Sequence, residues 1–288
     1  MVGIAIGTYL NTLQNGLVLD DIPAVVRNID VRPSGHVWRL FTADFWGTPL
    51  RSDESHKSYR PLTVLTFRLN EGLHGLDPAG FHAVNVLLHA FNTLLFYSVR
   101  GPIALAGLGM LCKEQCVTVL VVLAAAQCSG PVRWRRGNSA AFLVAFACLA
   151  GLRLGLAGGR PVFSKEDNPA AHSPFPVRQL SHVYLAALHL WRALCPAILA
   201  CDWSGGSVPL VDSLWDSRAA VSLAALVAFL GGLARSQPFL LALSVVPFLP
   251  ASNLVSPVGF VVAERVLYLP SIGLCLLVAR GWANILSR

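Results

Sequence analysis

Two adjacent carboxylates, Asp20 and Asp21, stand directly after the apolar run Leu17-Val18-Leu19 and just before Ile22-Pro23. A carboxylate pair at the edge of an apolar segment can take a proton from a hydroxyl acceptor as general base, or hold an acceptor and a cation, while nearby cations stabilise a departing phosphate. Cations follow in Ser55-His56-Lys57-Ser58-Tyr59-Arg60-Pro61, beyond Asp44-Phe45-Trp46-Gly47. A lipid-phosphate sugar donor would present its phosphate at that depth. The same residues admit a structural reading: adjacent acids ahead of Ile-Pro cap a turn or helix, and the His56 to Arg60 cluster clamps a loop in which Tyr59 and Arg60 pack against Trp46.

The remainder of the chain must position these groups, and its composition says in what solvent. Of 288 residues 55% are hydrophobic and 13% charged, with a mean hydropathy of +0.59, whereas a soluble domain carries roughly 25% charged residues. Only helices or closed barrels satisfy their backbone in lipid, and the long apolar runs predict an all-α polytopic membrane protein. The net charge of +7 comes from Lys and Arg scattered at the ends of apolar runs, as in loops flanking membrane helices, which argues against nucleic acid as a partner. The seven cysteines (Cys112, Cys116, Cys128, Cys148, Cys195, Cys201 and Cys275) lie in or beside apolar segments without zinc-ligand spacing, and read as small lipid-compatible side chains. Phosphate loop, zinc helix, nucleophile elbow and N-x-S/T sequon are all absent.

Met1 to Val18 is apolar but interrupted by Asn11, Gln14 and Asn15; it lacks a basic leader and a small-residue cleavage pattern, and reads as the tail of a first membrane helix or a poor one standing alone. From Asp20 to Pro78 prolines and polar residues predict an extramembrane loop with short amphipathic pieces at Val37 to Phe41 and Leu62 to Leu69. His82, Asn85, His89 and Asn92 recur at i, i+3, i+7 and i+10, one face of a helix. In lipid that face is expected inside a bundle, as packing hydrogen bonds or as a substrate surface.

Gly101 to Cys128 is apolar except for Lys113-Glu114-Gln115. Two charges at the bilayer centre would cost roughly 2.5–3.5 kcal/mol each, so the charges are expected at a helix end or broken turn, paired with each other or with bundle partners. A cytosolic Arg133, Arg135, Arg136 loop and a spanning helix from Asn138 to Ala157, with Arg153 snorkelling near its end, come next. After the polar loop from Arg160 to Arg178, Leu180 to Ala200 carries His182, His189 and Arg192 on one face; it spans or lies partly embedded, which leaves the side of Asp202 open. Apolar segments from Ala219 to Leu233, Phe239 to Leu249 and Glu264 to about Leu286 bring the expected total to six or seven.

Many strings resemble the transmembrane and tetratricopeptide-repeat (TMTC) family: Asp20-Asp-Ile-Pro-Ala24, Arg27-Asn-Ile-Asp-Val-Arg-Pro33, Asp44-Phe-Trp-Gly-Thr-Pro49, Ser55-His-Lys-Ser-Tyr-Arg-Pro-Leu62, Phe81-His-Ala-Val-Asn-Val-Leu-Leu-His89, Met110-Leu-Cys-Lys-Glu-Gln115, Asp167-Asn-Pro-Ala170, Cys201-Asp-Trp-Ser204, Phe248-Leu-Pro-Ala-Ser-Asn253 and Val258-Gly-Phe-Val-Val-Ala-Glu-Arg-Val-Leu-Tyr-Leu-Pro-Ser271. They cover almost the whole chain in the family's order.

The resemblance implies a GT-C type glycosyltransferase of the endoplasmic reticulum membrane that moves mannose from dolichyl phosphate mannose to Ser or Thr hydroxyls of secretory-pathway proteins, cadherin ectodomains in particular. Asp20 and Asp21 would occupy the acidic motif of the first lumenal loop, one of them the base of an inverting displacement. Arg265, His56, Lys57 and Arg60 would face the donor phosphate, and Lys113, Glu114, His82, Asn85, His89 and Glu264 would be polar groups inside the bundle. No cofactor beyond the donor and no metal ligands are implied, and the need for a divalent ion stays open. A non-catalytic membrane scaffold or regulator is the alternative, and a transporter a weaker one, since no inverted repeat is evident.

The implied division is 1–19, a partial first membrane helix; 20–80, the acidic-motif loop; 81–157, membrane helices with the Arg loop; 158–217, a central region of loops and an embedded helix; and 218–288, the last membrane helices. Between Phe96 and Leu105 the family's His-Pro-x-His-x-Glu loop and Gly-Arg-Ala-Asp stretch are missing, the upstream part of the first helix is missing, and no tetratricopeptide repeats occur before Arg288. A truncated or partial member is therefore expected.

Overall fold

The computed structural model describes residues 2–97, 102–129, 139–159, 163–200, 203, 206–236 and 238–287. The Arg133, Arg135, Arg136 loop, Arg160, Cys201 and Asp202 lie outside the described residues. The chain divides into two compact units, Met1–Cys116 with Leu149–Arg160, and Val117–Cys148 with Pro161–Arg288.

Ten α-helices are described: α1 Val2–Gly7, α2 Pro61–His74, α3 Pro78–Tyr97, α4 Pro102–Cys112, α5 Val119–Ser129, α6 Ser139–Ala157, α7 Val177–Leu194, α8 Ser217–Ser236, α9 Pro238–Val245 and α10 Tyr268–Leu286. Their starts follow local chemistry. Proline opens α2, α3, α4 and α9, where its fixed φ suits the helix and its missing N–H leaves nothing unpaired. Asp77 Oδ1 accepts from Ala79 N at 3.1 Å ahead of α3, and Asp216 Oδ1 from Arg218 N at 2.9 Å ahead of α8. Gly75, at φ +65, ends α2 with its N–H on the Glu71 carbonyl.

In the first unit the polar segment is ordered by a small apolar core of Ala24, Val25, Val31, Leu40, Val64 and Phe81. Short 3₁₀ turns at Ile29–Val31 and Val37–Phe41 pack against α2, so both expected amphipathic pieces are present, the second extended to a helix of 14 residues. α1 lies along α3, with Tyr9 edge-on to His89 at 4.9 Å.

The second unit packs α7 on α8 and α9 against α5 and α10. Gly273 of α10 faces Ser244 and the Leu240 carbonyl of α9 so closely that a Cβ would overlap them; small residues let helices approach where hydrophobic exclusion does not drive them together. Asn168, fully buried, donates to Asn253 Oδ1 at 2.7 Å and the Val258 carbonyl at 2.8 Å. The polar loop expected before Arg178 is thus partly a core element.

Among the described residues three helices are long and apolar enough to cross a membrane, Ser139–Ala157, Ser217–Arg235 and Glu264–Leu286. Six or seven segments were expected, and for part of that set the difference lies in helix length. Pro102–Cys112, Glu114–Cys128 and Pro238–Ala251 are shorter; the 11 residues of α4 rise about 16 Å against a hydrocarbon core of about 30 Å.

Candidate functional site

Asp20 and Asp21 sit half-exposed at the mouth of a five-residue helical turn, Ile22–Val26, whose Ala24 and Val25 are buried. The start of the turn is fixed by two hydrogen bonds. Ala24 N donates to the Asp20 carbonyl at 3.0 Å, and Asp21 Oδ2 accepts from Val18 N at 2.9 Å. Leu19, immediately before the pair, has φ +49 while exposed. A left-handed leucine costs of order 1–3 kcal/mol, and such strain concentrates where a chain must aim a functional group. The sequence held no signal for it.

The cation cluster is built on Asp44. This buried carboxylate accepts from Trp46 N and Thr48 N, both at 3.0 Å, from Ser55 Oγ at 2.7 Å and from His56 N at 3.1 Å. Asn28 supports the same turn from below: its Nδ2 donates to the Phe45 carbonyl at 3.1 Å and its Oδ1 accepts from Asp30 N at 2.9 Å. Asp30 in turn binds Arg39 at 2.6 Å. Sequence reading named Asp44 and Asn28 only within motif strings; a buried Asx that organises a turn has no periodicity to betray it.

On this frame His56 is exposed, its ring tilted toward Trp46 at 5.9 Å. Lys57 adopts φ +56, and its ammonium donates to the carbonyls of Leu50 and Ser52 at 2.7 and 2.9 Å. Arg60 lies over the Phe45 ring at 5.0 Å. Its fork closes on Glu114, Nε to Oε2 at 3.1 Å and Nη2 to Oε1 at 2.9 Å. Lys57 and Arg60 are therefore engaged within the protein.

Glu114 opens the 3₁₀ turn Glu114–Thr118 that follows the end of α4 at Cys112. The break predicted at Lys113-Glu114-Gln115 is present, with Lys113 N bonded to the Gly109 carbonyl and Thr63 Oγ1 to the Cys112 carbonyl. Burial pushes the Glu114 carboxyl up, but the charge and hydrogen bonds of Arg60, a backbone N–H and Arg153 together bring it down to about 2. Burial likewise raises the Tyr59 phenol, against the pull of Arg153. Arg153 does not snorkel to a helix end; Nη2 donates to the Lys57 carbonyl at 2.7 Å.

Along α3 the polar stripe is split. Asn85 and Asn92 are exposed, His89 meets Tyr9, and His82 Nε2 is buried with no partner among the described residues.

In the second unit Glu264 is the centre of a part-buried polar knot. Oε1 meets Arg192 Nη1 at 3.2 Å and Trp203 Nε1 at 2.8 Å, while Oε2 accepts from Ala200 N at 3.3 Å. The Arg192 guanidinium stacks on the Trp203 ring at 4.0 Å. One residue earlier, Ala263 N donates to His189 Nε2 at 3.2 Å, and the Nδ1 side of that ring meets the Leu185 carbonyl at 2.8 Å. An acceptor at Nε2 and a donor at Nδ1 describe a neutral imidazole; consistently, burial pushes His189 below its ordinary value. The α7 stripe of His189 and Arg192 thereby fixes the segment that ends in Arg265, whose own side chain is exposed with its guanidinium 5.7 Å from the Phe260 ring.

Asp20 and Asp21, His56 to Arg60, Glu114 and Arg153 belong to the first unit, and Glu264 and Arg265 to the second. No group of three or more His, Cys, Asp or Glu side chains converges as a metal-binding set among the described residues. The six described cysteines are free thiols, and burial raises Cys116, away from reactive thiolate character.

No solved structure matches the chain. A family model described as "Protein O-mannosyl-transferase TMTC, DUF1736" matches residues 157–230. The chain is 33% identical over 418 residues to "Protein O-mannosyl-transferase Tmtc3" of Drosophila melanogaster, covering 97% of this chain and 45% of the relative. It is 33% identical over 389 residues to the Homo sapiens protein named TMTC3, covering 100% and 42%, and 31% identical over 400 residues to Homo sapiens TMTC1, covering 99% and 45%. The chain spans under half the length of these relatives. Matched along nearly all of its 288 residues, with the motif strings of both units in order, it belongs to the TMTC family.

Proposed function

We propose that this chain provides the membrane part of a protein O-mannosyltransferase, moving mannose from dolichyl phosphate mannose to Ser or Thr hydroxyls of secretory-pathway proteins, cadherin-type acceptors among them, in the endoplasmic reticulum membrane. The observation that carries the reading is the similarity, over 97–100% of the chain, to proteins named protein O-mannosyl-transferases, combined with an acidic pair held at the mouth of an anchored turn after an apolar segment. One carboxylate of Asp20 and Asp21 accepts the proton of the acceptor hydroxyl. The hydroxyl oxygen forms its bond to the anomeric carbon as the bond to dolichyl phosphate breaks, with inversion, and cationic side chains stabilise the departing phosphate.

A second reading, a non-catalytic membrane scaffold, is favoured by one observation: Lys57 and Arg60 are occupied by internal partners. Mannose transfer separates the two. Membranes from cells lacking endogenous family members, supplied with labelled dolichyl phosphate mannose and an acceptor domain, should gain labelled acceptor when this protein is expressed, with anomeric configuration opposite to that of the donor. Incorporation no higher than in membranes without the protein would favour the scaffold.

A further inference from the structure

Arg153 lies in α6, a helix of spanning length and apolarity, yet its guanidinium is turned into the protein. Nη2 is held by the Lys57 carbonyl at 2.7 Å, while Nε is buried and has no partner among the described residues. Beside it Arg60 and Glu114 neutralise one another through two hydrogen bonds. The charge of Arg153 is felt at both Glu114 and the buried Tyr59, but Glu114 is ion-paired with Arg60, and Arg153 has no carboxylate partner of its own among the described residues. A part-buried site with one positive charge in excess and an unpaired donor is costly unless an anion completes it. Lys57, whose carbonyl also accepts from Tyr59 N at 3.1 Å, holds a left-handed backbone at φ +56, a strained conformation for a residue with a side chain.

We propose that Arg153, braced by the Arg60–Glu114 pair and the Lys57 carbonyl, binds a phosphate anion through its guanidinium, either the phosphate monoester of a lipid carrier or inorganic phosphate. The planar fork of arginine matches phosphate oxygens geometrically, which a lysine ammonium does not. On the mannosyltransferase reading, on which the lipid assignment rests, this is where the departing dolichyl phosphate is held. Arg60 then acts as a positioning residue through Glu114.

The test is binding, which needs no turnover. The full chain in nanodiscs is titrated with dolichyl phosphate, with dolichol and with inorganic phosphate, and its melting temperature is followed. Dolichyl phosphate should raise it and dolichol should not; Arg153→Gln should weaken apparent affinity at least about tenfold, and Arg153→Lys should weaken it less. An Arg153-dependent shift with inorganic phosphate also supports the site and assigns it to the free anion. Wild-type affinity in a folded Arg153→Gln protein, or no shift of the wild type by either phosphate, overturns it; should Arg153→Gln not fold, wild-type affinity in Arg153→Lys does so. Arg153-dependent binding without mannose transfer leaves the site standing and sinks the enzyme reading, whereas transfer with Arg153-independent binding does the reverse.

Discussion

Arg60 and Glu114, 54 positions apart in sequence, share two hydrogen bonds of 3.1 and 2.9 Å, so the loop after Asp44 is clamped to the break between α4 and the turn that follows it. With its carboxyl at about 2 against an ordinary 4.5, Glu114 holds fewer protons folded than unfolded between those values. Its contribution is complete above about pH 4.5 and is lost as pH falls toward 2. Thermal unfolding in detergent should therefore show the wild-type melting temperature falling toward that of Glu114→Gln as pH drops from 5 to 3. Parallel curves would contradict the clamp.

Asp44 is a sharper structural test, because four donors converge on one buried carboxylate. Asp44→Ala strands Ser55 and three backbone N–H groups, at a cost of about 3 kcal/mol or more. Limited proteolysis should cut the variant between residues 42 and 60 under conditions where the wild type stays intact.

Gly273 sets how closely α9 and α10 approach. Gly273→Val places a branched side chain against Ser244 and the Leu240 backbone and should destabilise the second unit by about 1–3 kcal/mol. A lowered melting temperature without change in oligomeric state is the expected result; an unchanged one would mean the helices separate freely.

His189 makes a pH prediction of the same sign as Glu114 but in a different window. Burial, opposed by the Leu185 carbonyl and Glu264 and aided by Arg192, holds its imidazole below the ordinary value of 6.5. The unfolded chain binds the proton first, so stability is full above about pH 6.5 and declines as pH falls below it. His189→Ala should flatten the melting curve between pH 7 and 5, although it is less stable throughout.

The reach of the sequence follows from the same contacts. Helix periodicity located α3, the length of apolar runs located α6, α8 and α10, and the cost of burying Lys113 and Glu114 located the break after α4, because all three are local statements about residues and solvent. The partner of Glu114 was not legible, since nothing local distinguishes Arg60, 54 positions away, from Lys57 or Arg265. The face of His182, His189 and Arg192 was legible as a stripe; that it would hold Ala263 and Glu264, 72 to 74 positions on, was not. Arg153 illustrates the limit most clearly: near a helix end it reads as a snorkelling side chain, and only packing shows it turned toward Lys57. The acidic pair was read from its residue types, while the left-handed backbone at Leu19 just before it needed coordinates.

Transfer of mannose by Asp20→Asn and Asp21→Asn proteins, assayed beside the wild type in membranes lacking endogenous family members, tests the central claim most directly. A general base contributes roughly 10²–10⁴-fold to rate, so at least one variant should lose about a hundredfold or more of transfer while matching the wild type in expression and melting temperature. Wild-type rates in both variants would contradict the assignment of this acidic pair to catalysis.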